Sequence, residues 1–222
     1  MDSAHESTTR TGPPRSRRVR LAGALRRHLI DVTQRLLAAH GATGLTTREI
    51  AREAQVADGL LYNHFAGKDD LVVTALGEQA AELVHAFLAA RPEPGTATLE
   101  KNLAALAPAA LEFNARIVPL ITGLFGQVDL LGRFLDAIRA GQVGPQAAFA
   151  AAVEYVQAEQ RLGRAADDVD PVAVVELLFG ACQLRAFVAQ LGQAADAGQE
   201  ADLDAIVSVL LRALQRPTTS AS

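Results

Sequence analysis

The chain of 222 residues is 50% hydrophobic, 21% charged and 5% aromatic, close to the average of globular domains. This balance excludes a wholly disordered chain, a collagen-like repeat and a disulfide-stabilised miniprotein. The single cysteine, Cys182, allows no internal disulfide and has no metal-ligand spacing, so we expect a reducing, cytoplasmic location.

The formal net charge of -4 conceals a segregation of charge along the chain. Residues 1–28 hold seven arginines and two acidic residues, a net charge of +5, and the remainder carries -9. A basic segment on an acidic body favours an anionic partner at one end, and a solvated tail is the plainer alternative. No secretion signal is predicted, and the uncharged runs fall short of the roughly 20 apolar residues of a membrane helix. We therefore expect a soluble protein with no membrane partner.

Helical periodicity runs through the chain, and we find neither a strand pattern of useful length nor a fixed repeat. Thr46 and Glu49 form a capping box, with Leu45 and Ile50 at the positions of a hydrophobic staple. The predicted helices cover 19–37, 45–54, 58–65, 69–90, 99–114 with a kink at Pro108, 119–140 with an interruption near Gly126, 145–162, 171–191 and 202–214. The predicted fold class is all-α.

Two short helices separated by a turn at 55–57 predict a helix-turn-helix unit. In its second helix, Leu61 and Phe65 are spaced to face inward with Val56. The opposite face is short, uncharged and hydrogen-bonding, which suits a helix that reads base edges in a major groove. The candidates for base reading are Gly59, Leu60, Tyr62 and Asn63, and the candidates for phosphate contact are Thr47, Arg48, His64 and Lys68.

Three stretches in this region also carry a family resemblance. Residues 45–51, 59–65 and 68–71 read LTTREIA, GLLYNHF and KDDL, and they resemble the amino-terminal DNA-binding domain of the tetracycline-repressor-like (TetR) family. The resemblance covers about residues 25–80. It implies a homodimer on a pseudo-palindromic DNA operator, repression of nearby genes, and release when a small-molecule effector enters a helical carboxy-terminal domain.

The sequence departs from the family pattern at three positions. The family commonly has glycine where Gln55 stands, a capping residue such as serine where Ala57 stands, and a small hydroxyl or alanine where Leu60 stands. A left-handed Gln55 would cost about 1 kcal/mol or more. Asp58 also places a negative charge near the groove.

The resemblance and the helix pattern together divide the chain into four parts. They are a flexible basic arm at 1–20, a DNA-binding domain at 21–68 with its motif at about 45–65, a helical effector-binding and dimerisation domain at 69–216, and a flexible tail at 217–222. The last two helices are expected to pair across a two-fold axis as a four-helix bundle. The candidate residues of an effector pocket, suited to an apolar or aromatic ligand, are Phe113, Arg116, Phe125, Gln127, Tyr155 and Gln183.

No catalytic, metal-binding or nucleotide-binding motif is present in the sequence, so neither an enzyme nor a cofactor nor a metal site is predicted. Two other functions stay open. One is an activator with the same domain. The other is a helical ligand-binding protein with a vestigial DNA-binding motif, which Ala57, Asp58 and Leu60 favour.

Overall fold

The structure is a computed structural model that describes residues 15–141, 143–191 and 199–215. Side chains are described from Arg20 in the first helix and from Leu203 in the last. Every regular element in these ranges is helical, which confirms the all-α class. The elements are α1 Arg15–His40, α2 Thr47–Glu53, a 3₁₀ helix Asp58–Asn63, α3 Lys68–Ala90, α4 Leu99–Thr122, α5 Val128–Arg139, α6 Gln146–Arg161, α7 Pro171–Gln190 and α8 Gln199–Leu214.

The first helix starts earlier than the boundary at residue 21 that the sequence predicts. It begins at Arg15, directly after Pro13-Pro14, and so includes four arginines of the predicted arm. A proline disfavours helical backbone in the residue before it, whereas arginine is a good helix former. The remainder of the predicted arm, with Arg10, lies outside the described residues.

The prediction of separate helices at 99–114 and 119–140 is wrong. A single helix, α4, runs from Leu99 to Thr122 through both Pro108 and Pro119, and α5 begins only at Val128. Each interior proline costs about 3 kcal/mol. Packing offsets this cost, because both prolines lie on the exposed side while the opposite side of α4 buries a stripe that includes Phe113.

The chain divides into two compact units, residues 1–72 and 73–222. The core of the amino-terminal unit joins α1, α2 and the 3₁₀ helix, and its central residues are fully buried. They include Leu29, Ile30, Ile50 and Leu61. The apolar side of these helices is therefore buried within this unit around Leu29, whereas Leu21 near the start of α1 is 59% exposed.

In the carboxy-terminal unit, α4 packs against α7 and α8, and α6 packs against α7. Four phenyl rings form a cluster within it. The ring centroids of Phe87 and Phe113 are 5.8 Å apart, and Phe179 lies 5.8 Å from Phe87 and 5.6 Å from Phe149. Tilted and edge-to-face pairs at such distances add to the stabilisation that burial gives.

This unit also contains a buried carboxylate, Glu159 on α6. Its Oε1 accepts hydrogen bonds from the Tyr155 hydroxyl at 2.8 Å, from Asn102 Nδ2 at 3.2 Å and from the Gly95 amide at 3.2 Å. Its Oε2 lies 2.7 Å from Nε of Arg164. Burial alone would raise the pKa of Glu159, but these hydrogen bonds and the guanidinium hold it below its usual value.

Three helices, α3, α4 and α7, are long and apolar enough to cross a membrane by length and composition alone. The absence of a membrane partner therefore stays a prediction.

Candidate nucleic-acid interface

The first helix of the predicted helix-turn-helix, α2, begins with the predicted capping box. The Glu49 amide donates to Thr46 Oγ1 at 3.2 Å, and the Thr46 amide donates to Glu49 Oε2 at 3.0 Å. This backbone hydrogen bond is the main reason that the pKa of Glu49 lies below its usual value. Leu45 and Ile50 are both buried beside the cap, as the hydrophobic staple requires.

The turn between the two helices contains a left-handed residue. Gln55 has a φ of +55°, the only positive value among the non-glycine residues that the structure describes. Its amide donates to the Arg52 carbonyl at 3.1 Å, and the next amide, of Val56, donates to the Ala51 carbonyl at 3.0 Å. Gln55 therefore adopts the left-handed conformation that is strained for a residue other than glycine, and this conformation closes the turn after α2.

The second helix of the motif, which we call the recognition segment, is the 3₁₀ helix Asp58–Asn63 rather than the α-helix 58–65 that the sequence predicts. Its N-cap residue, Ala57, provides no side-chain hydrogen bond. A six-residue segment without a cap has few bonds to hold an α-helix, and short helices are often 3₁₀. In such a helix residues three apart share a row, which aligns Gly59 with Tyr62 and Leu60 with Asn63.

The recognition segment has one buried side and one open side. Leu61 and the following Phe65 are 0% and 4% exposed. Gly59 and Asn63 are exposed, and Tyr62 is 60% exposed. A Cβ atom added to Gly59 would meet nothing within 4 Å, so nothing in its own surroundings requires a glycine there. An exposed glycine beside an amide and a phenol leaves space for close approach by another molecule.

The flanks of the recognition segment carry charged groups. Nε of Arg48 lies 3.6 Å from Oδ2 of Asp58, and both side chains are largely exposed. Such a pair contributes about 0–1 kcal/mol, so a phosphate could replace the carboxylate at little cost. On the other flank, Lys68 opens α3 with its Nζ 4.0 Å from Oδ1 of Asp69. Arg48, one of the predicted phosphate contacts, thus partly compensates the negative charge of Asp58.

Two residues that were not predicted from the sequence to belong to the site, His28 and Arg26, connect α1 to the motif. Ala54 is the C-cap residue of α2, and its carbonyl oxygen lies 3.1 Å from Nε2 of His28. The Arg26 guanidinium lies over the Phe65 ring, 5.0 Å from its centroid. Both contacts join residues far apart in sequence, so only the folded chain reveals them. These contacts hold residues on either side of the recognition segment against α1, and neither contact involves a residue predicted to bind DNA.

The eight predicted DNA-contacting residues therefore share one unit. The recognition segment and its flanks hold six of them, and Thr47 and Arg48 lie in the first turn of α2. Thr47, Leu60, His64 and Lys68 are half-buried, and the other four are exposed. Contact of any of them with DNA stays a prediction.

The six candidate pocket residues do not converge on one site. Phe113 and Gln183 line a cavity of about 330 Å³ between α4, α6 and α7, which we call the α4–α7 cavity. A neighbouring cavity of about 360 Å³ is lined by Phe125 and again by Gln183. The remaining three lie elsewhere: Arg116 lines a small cavity of about 60 Å³, Gln127 is the N-cap of α5, and Tyr155 is hydrogen-bonded to Glu159.

No group of three or more histidine, cysteine or acidic residues suited to a metal ion occurs in the described part of the chain.

Comparison with known proteins gives one family match and several similar structures. Residues 29–75 match the family described as bacterial regulatory proteins, tetR family. No curated protein sequence matches the chain.

The similar structures share the fold at low sequence identity. A TetR-family transcriptional regulator from Mesorhizobium loti is 19% identical, with a TM-score of 0.71 over 86% of this chain and 96% of that one. A protein of unknown function from Rhodococcus sp. RHA1 is 22% identical, with a TM-score of 0.66 over 86% and 95%. The fatty acid degradation regulator FadR from Bacillus halodurans is 17% identical, with a TM-score of 0.59 over 87% and 96%.

Proposed function

We propose that this chain, a TetR-family regulator by its amino-terminal domain and its fold, is a cytoplasmic, homodimeric repressor that a small-molecule effector releases from a pseudo-palindromic operator. The family match of the amino-terminal domain and the shared fold support the DNA-binding part of this proposal. One observation carries the proposal of operator recognition. The recognition segment exposes Gly59, Tyr62 and Asn63 over a buried Leu61 and Phe65.

The exposed side of the recognition segment has the chemistry of base reading. An asparagine amide can donate to and accept from adenine at once, and tyrosine or leucine can contact thymine methyl groups. Gly59 lets the backbone come close to the duplex. The flanking Arg48 and Lys68 could bind phosphates, which would fix the register of the segment on the duplex.

A two-fold partner is supported by an apolar face on the last two helices. Leu177 and Leu184 on α7 are both 63% exposed, Leu191 at its C-cap is 58% exposed, and Val209 on α8 is 53% exposed. A groove of about 370 Å³ runs between these helices and includes Leu177 and Val209. Exposed apolar surface of this kind marks a contact with another protein, and a second copy would cover it in the four-helix arrangement of the family.

Effector release is supported by the α4–α7 cavity in the carboxy-terminal unit. Its volume of about 330 Å³ lies within the usual range of small-molecule sites, roughly 300–1,000 Å³. An effector bound there would have to favour the conformation with lower affinity for the operator, because only differential affinity shifts an equilibrium.

The first test is selection of bound DNA from a random duplex pool by the purified chain at about 150 mM salt, where nonspecific phosphate contacts are weakened. Enrichment of an inverted repeat supports a dimeric reader. Failure to enrich any sequence would contradict the proposal and favour a helical ligand-binding protein. Two features are compatible with that alternative: Ala57 does not cap the recognition segment, and Arg48 is paired with Asp58.

Two variants separate base reading from phosphate contact. Asn63→Ala is expected to change the sequence preference, whereas Lys68→Ala should weaken all sequences alike and lower the salt slope by about one. Lys101→Ala is the matched control, because it removes an equal charge from an exposed position in the other unit. Equal effects of Asn63→Ala and Lys68→Ala on all sequences, or an altered slope in Lys101→Ala, would contradict the assignment.

The dimer and the direction of regulation need separate measurements. Leu177→Glu and Val209→Glu are expected to give monomers in light scattering, while Val128→Glu, also at an exposed apolar position, should not. Loss of the gene raises transcription of the target if the protein is a repressor and lowers it if the protein is an activator.

A further inference from the structure

We propose that the α4–α7 cavity binds an amphiphilic amine, a ligand with an apolar, ring-bearing body and a positively charged amino group. The proposal rests on the effector role given above and names the chemical class of the effector. The cavity has three features that select this class. They are its aromatic wall, an unpaired acceptor on Asn114 and the sign of its charge.

The wall of the cavity is apolar and aromatic. Phe113, Phe149 and Phe179 line it, and Ile117 and Val118 complete the surface. The centroid of Phe179 lies 5.6 Å from that of Phe149 and 6.2 Å from that of Phe113. Such a wall favours the apolar body of a ligand, and the faces of phenyl rings also attract cations.

The polar groups of the cavity offer acceptors. Asn114 is only 5% exposed, and its Nδ2 donates to the carbonyl oxygen of Ala110 at 2.8 Å. Because a carbonyl oxygen can pair only with the NH₂ side of the amide, this bond fixes the orientation of Asn114. Its Oδ1 is left without a hydrogen bond from any described residue. Because this oxygen is not among the fully buried side-chain atoms that lack a partner, it is open to the cavity, where a donor of the ligand can reach it.

Charge decides the sign of the ligand. Glu176, an exposed residue, is the only charged side chain among the described residues that line the cavity, where no lysine, arginine or histidine occurs. An anionic ligand would meet this carboxylate without a counter-ion. An ammonium group would pair with Glu176 and could donate to Asn114 Oδ1, and it has no acceptor of its own to satisfy.

Gly180 keeps the cavity open to its neighbour. It lies in the interior of α7 and, with Val118 and Gln183, lines both the α4–α7 cavity and the second cavity of about 360 Å³. A glycine inside a helix is destabilising relative to alanine, yet a Cβ atom at Gly180 would meet nothing within 4 Å. Packing within the described chain therefore does not require glycine here. Its lack of a side chain leaves space for a ligand that extends between the two cavities.

The test uses three probes that share one body and differ in charge: phenylbutylamine, phenylbutanol and phenylbutyrate. Binding to the full-length protein is measured by calorimetry near pH 7, where the amine is an ammonium ion. We expect the amine to bind about threefold more tightly than the alcohol, since an ion pair with an exposed carboxylate adds up to about 1 kcal/mol, and the carboxylate to bind most weakly. Carboxylate binding as tight as amine binding, or no amine binding at millimolar concentration, would overturn the proposal.

The variants locate the effect. Glu176→Gln should remove this preference and leave alcohol binding unchanged, while Glu154→Gln, an equal charge change at an exposed position that does not line the cavity, should change neither. Gly180→Leu should abolish binding of all three probes, and Gly180→Ala, the control for folding, should raise the melting temperature. A preference retained in Glu176→Gln, or unchanged binding in Gly180→Leu, would overturn the site.

The two proposals fail in different ways. If the protein binds an operator but no amine, the ligand class is wrong and the DNA-binding function stands. If it binds the amine but the amine never weakens operator binding, the cavity assignment stands and effector release is contradicted.

Discussion

Replacement of Gln55 by glycine should stabilise the helix-turn-helix. Gln55 has a φ of +55° and an exposed side chain, so the substitution relieves backbone strain and removes no packing. The left-handed conformation costs a non-glycine residue about 1–2 kcal/mol. The greater conformational freedom of glycine in the unfolded chain reduces this stabilisation by about 0.5–1 kcal/mol. The free energy of opening of this turn should therefore rise by about 0.5–1 kcal/mol in Gln55→Gly.

Hydrogen exchange read by mass spectrometry on peptides that span residues 45–65 measures this change locally. The amides of Ala54 and Val56 report on it, since they donate to the carbonyl oxygens of Ile50 and Ala51 at 2.8 and 3.0 Å. A gain of about 0.5–1 kcal/mol slows their exchange about two- to fivefold. Peptides from α6 serve as an internal reference and should exchange at the same rate in both proteins.

Gln55→Ala is the matched control. Alanine keeps the Cβ atom that clashes in the left-handed region, so its exchange should stay close to that of the unchanged chain. If Gln55→Ala slowed exchange as much as Gln55→Gly, the gain would come from loss of the glutamine side chain, and the strain argument would be refuted.

Three further predictions concern other sites. Ala57→Ser should add about 0.5–1 kcal/mol by capping the recognition segment, because no side chain caps it now, and the same exchange assay measures it. Glu159→Gln should destabilise the carboxy-terminal unit by about 3 kcal/mol in denaturant unfolding near pH 7, since it leaves Arg164 without its buried partner. Because the folded pKa of Glu159 lies below its unfolded value of about 4.5, this stabilisation is fully present above pH 4.5 and is lost as the pH falls through the folded pKa, so the two proteins should converge in strong acid. Burial raises the pKa of Cys182 to about 11, so iodoacetamide at pH 8 should leave the native thiol unmodified and label it only after unfolding; rapid labelling of the native protein would contradict its burial.

The sequence alone determined the features that depend on neighbours within a few residues. The capping box of Thr46 and Glu49 needs only a spacing of three, and the inward positions of Leu61 and Phe65 need only a helical period. The strain at Gln55 could be foreseen because the family pattern has glycine there. Local geometry sets these features, so they can be inferred without knowledge of the rest of the chain.

Tertiary packing decided the features that depend on distant residues. α4 continues through Pro108 and Pro119 because its buried stripe packs on α7, and no local rule includes that gain.

The contacts around the helix-turn-helix and around the α4–α7 cavity also could not be predicted from the sequence. His28 meets Ala54 across 26 positions, and Asn114 and Glu176 come together at one cavity although 62 positions separate them. The sequence contains the side chains that can accept a donor or bind a phosphate. Which of them share a site is fixed by long-range packing, because the apolar faces of several helices must be buried together before those side chains can converge.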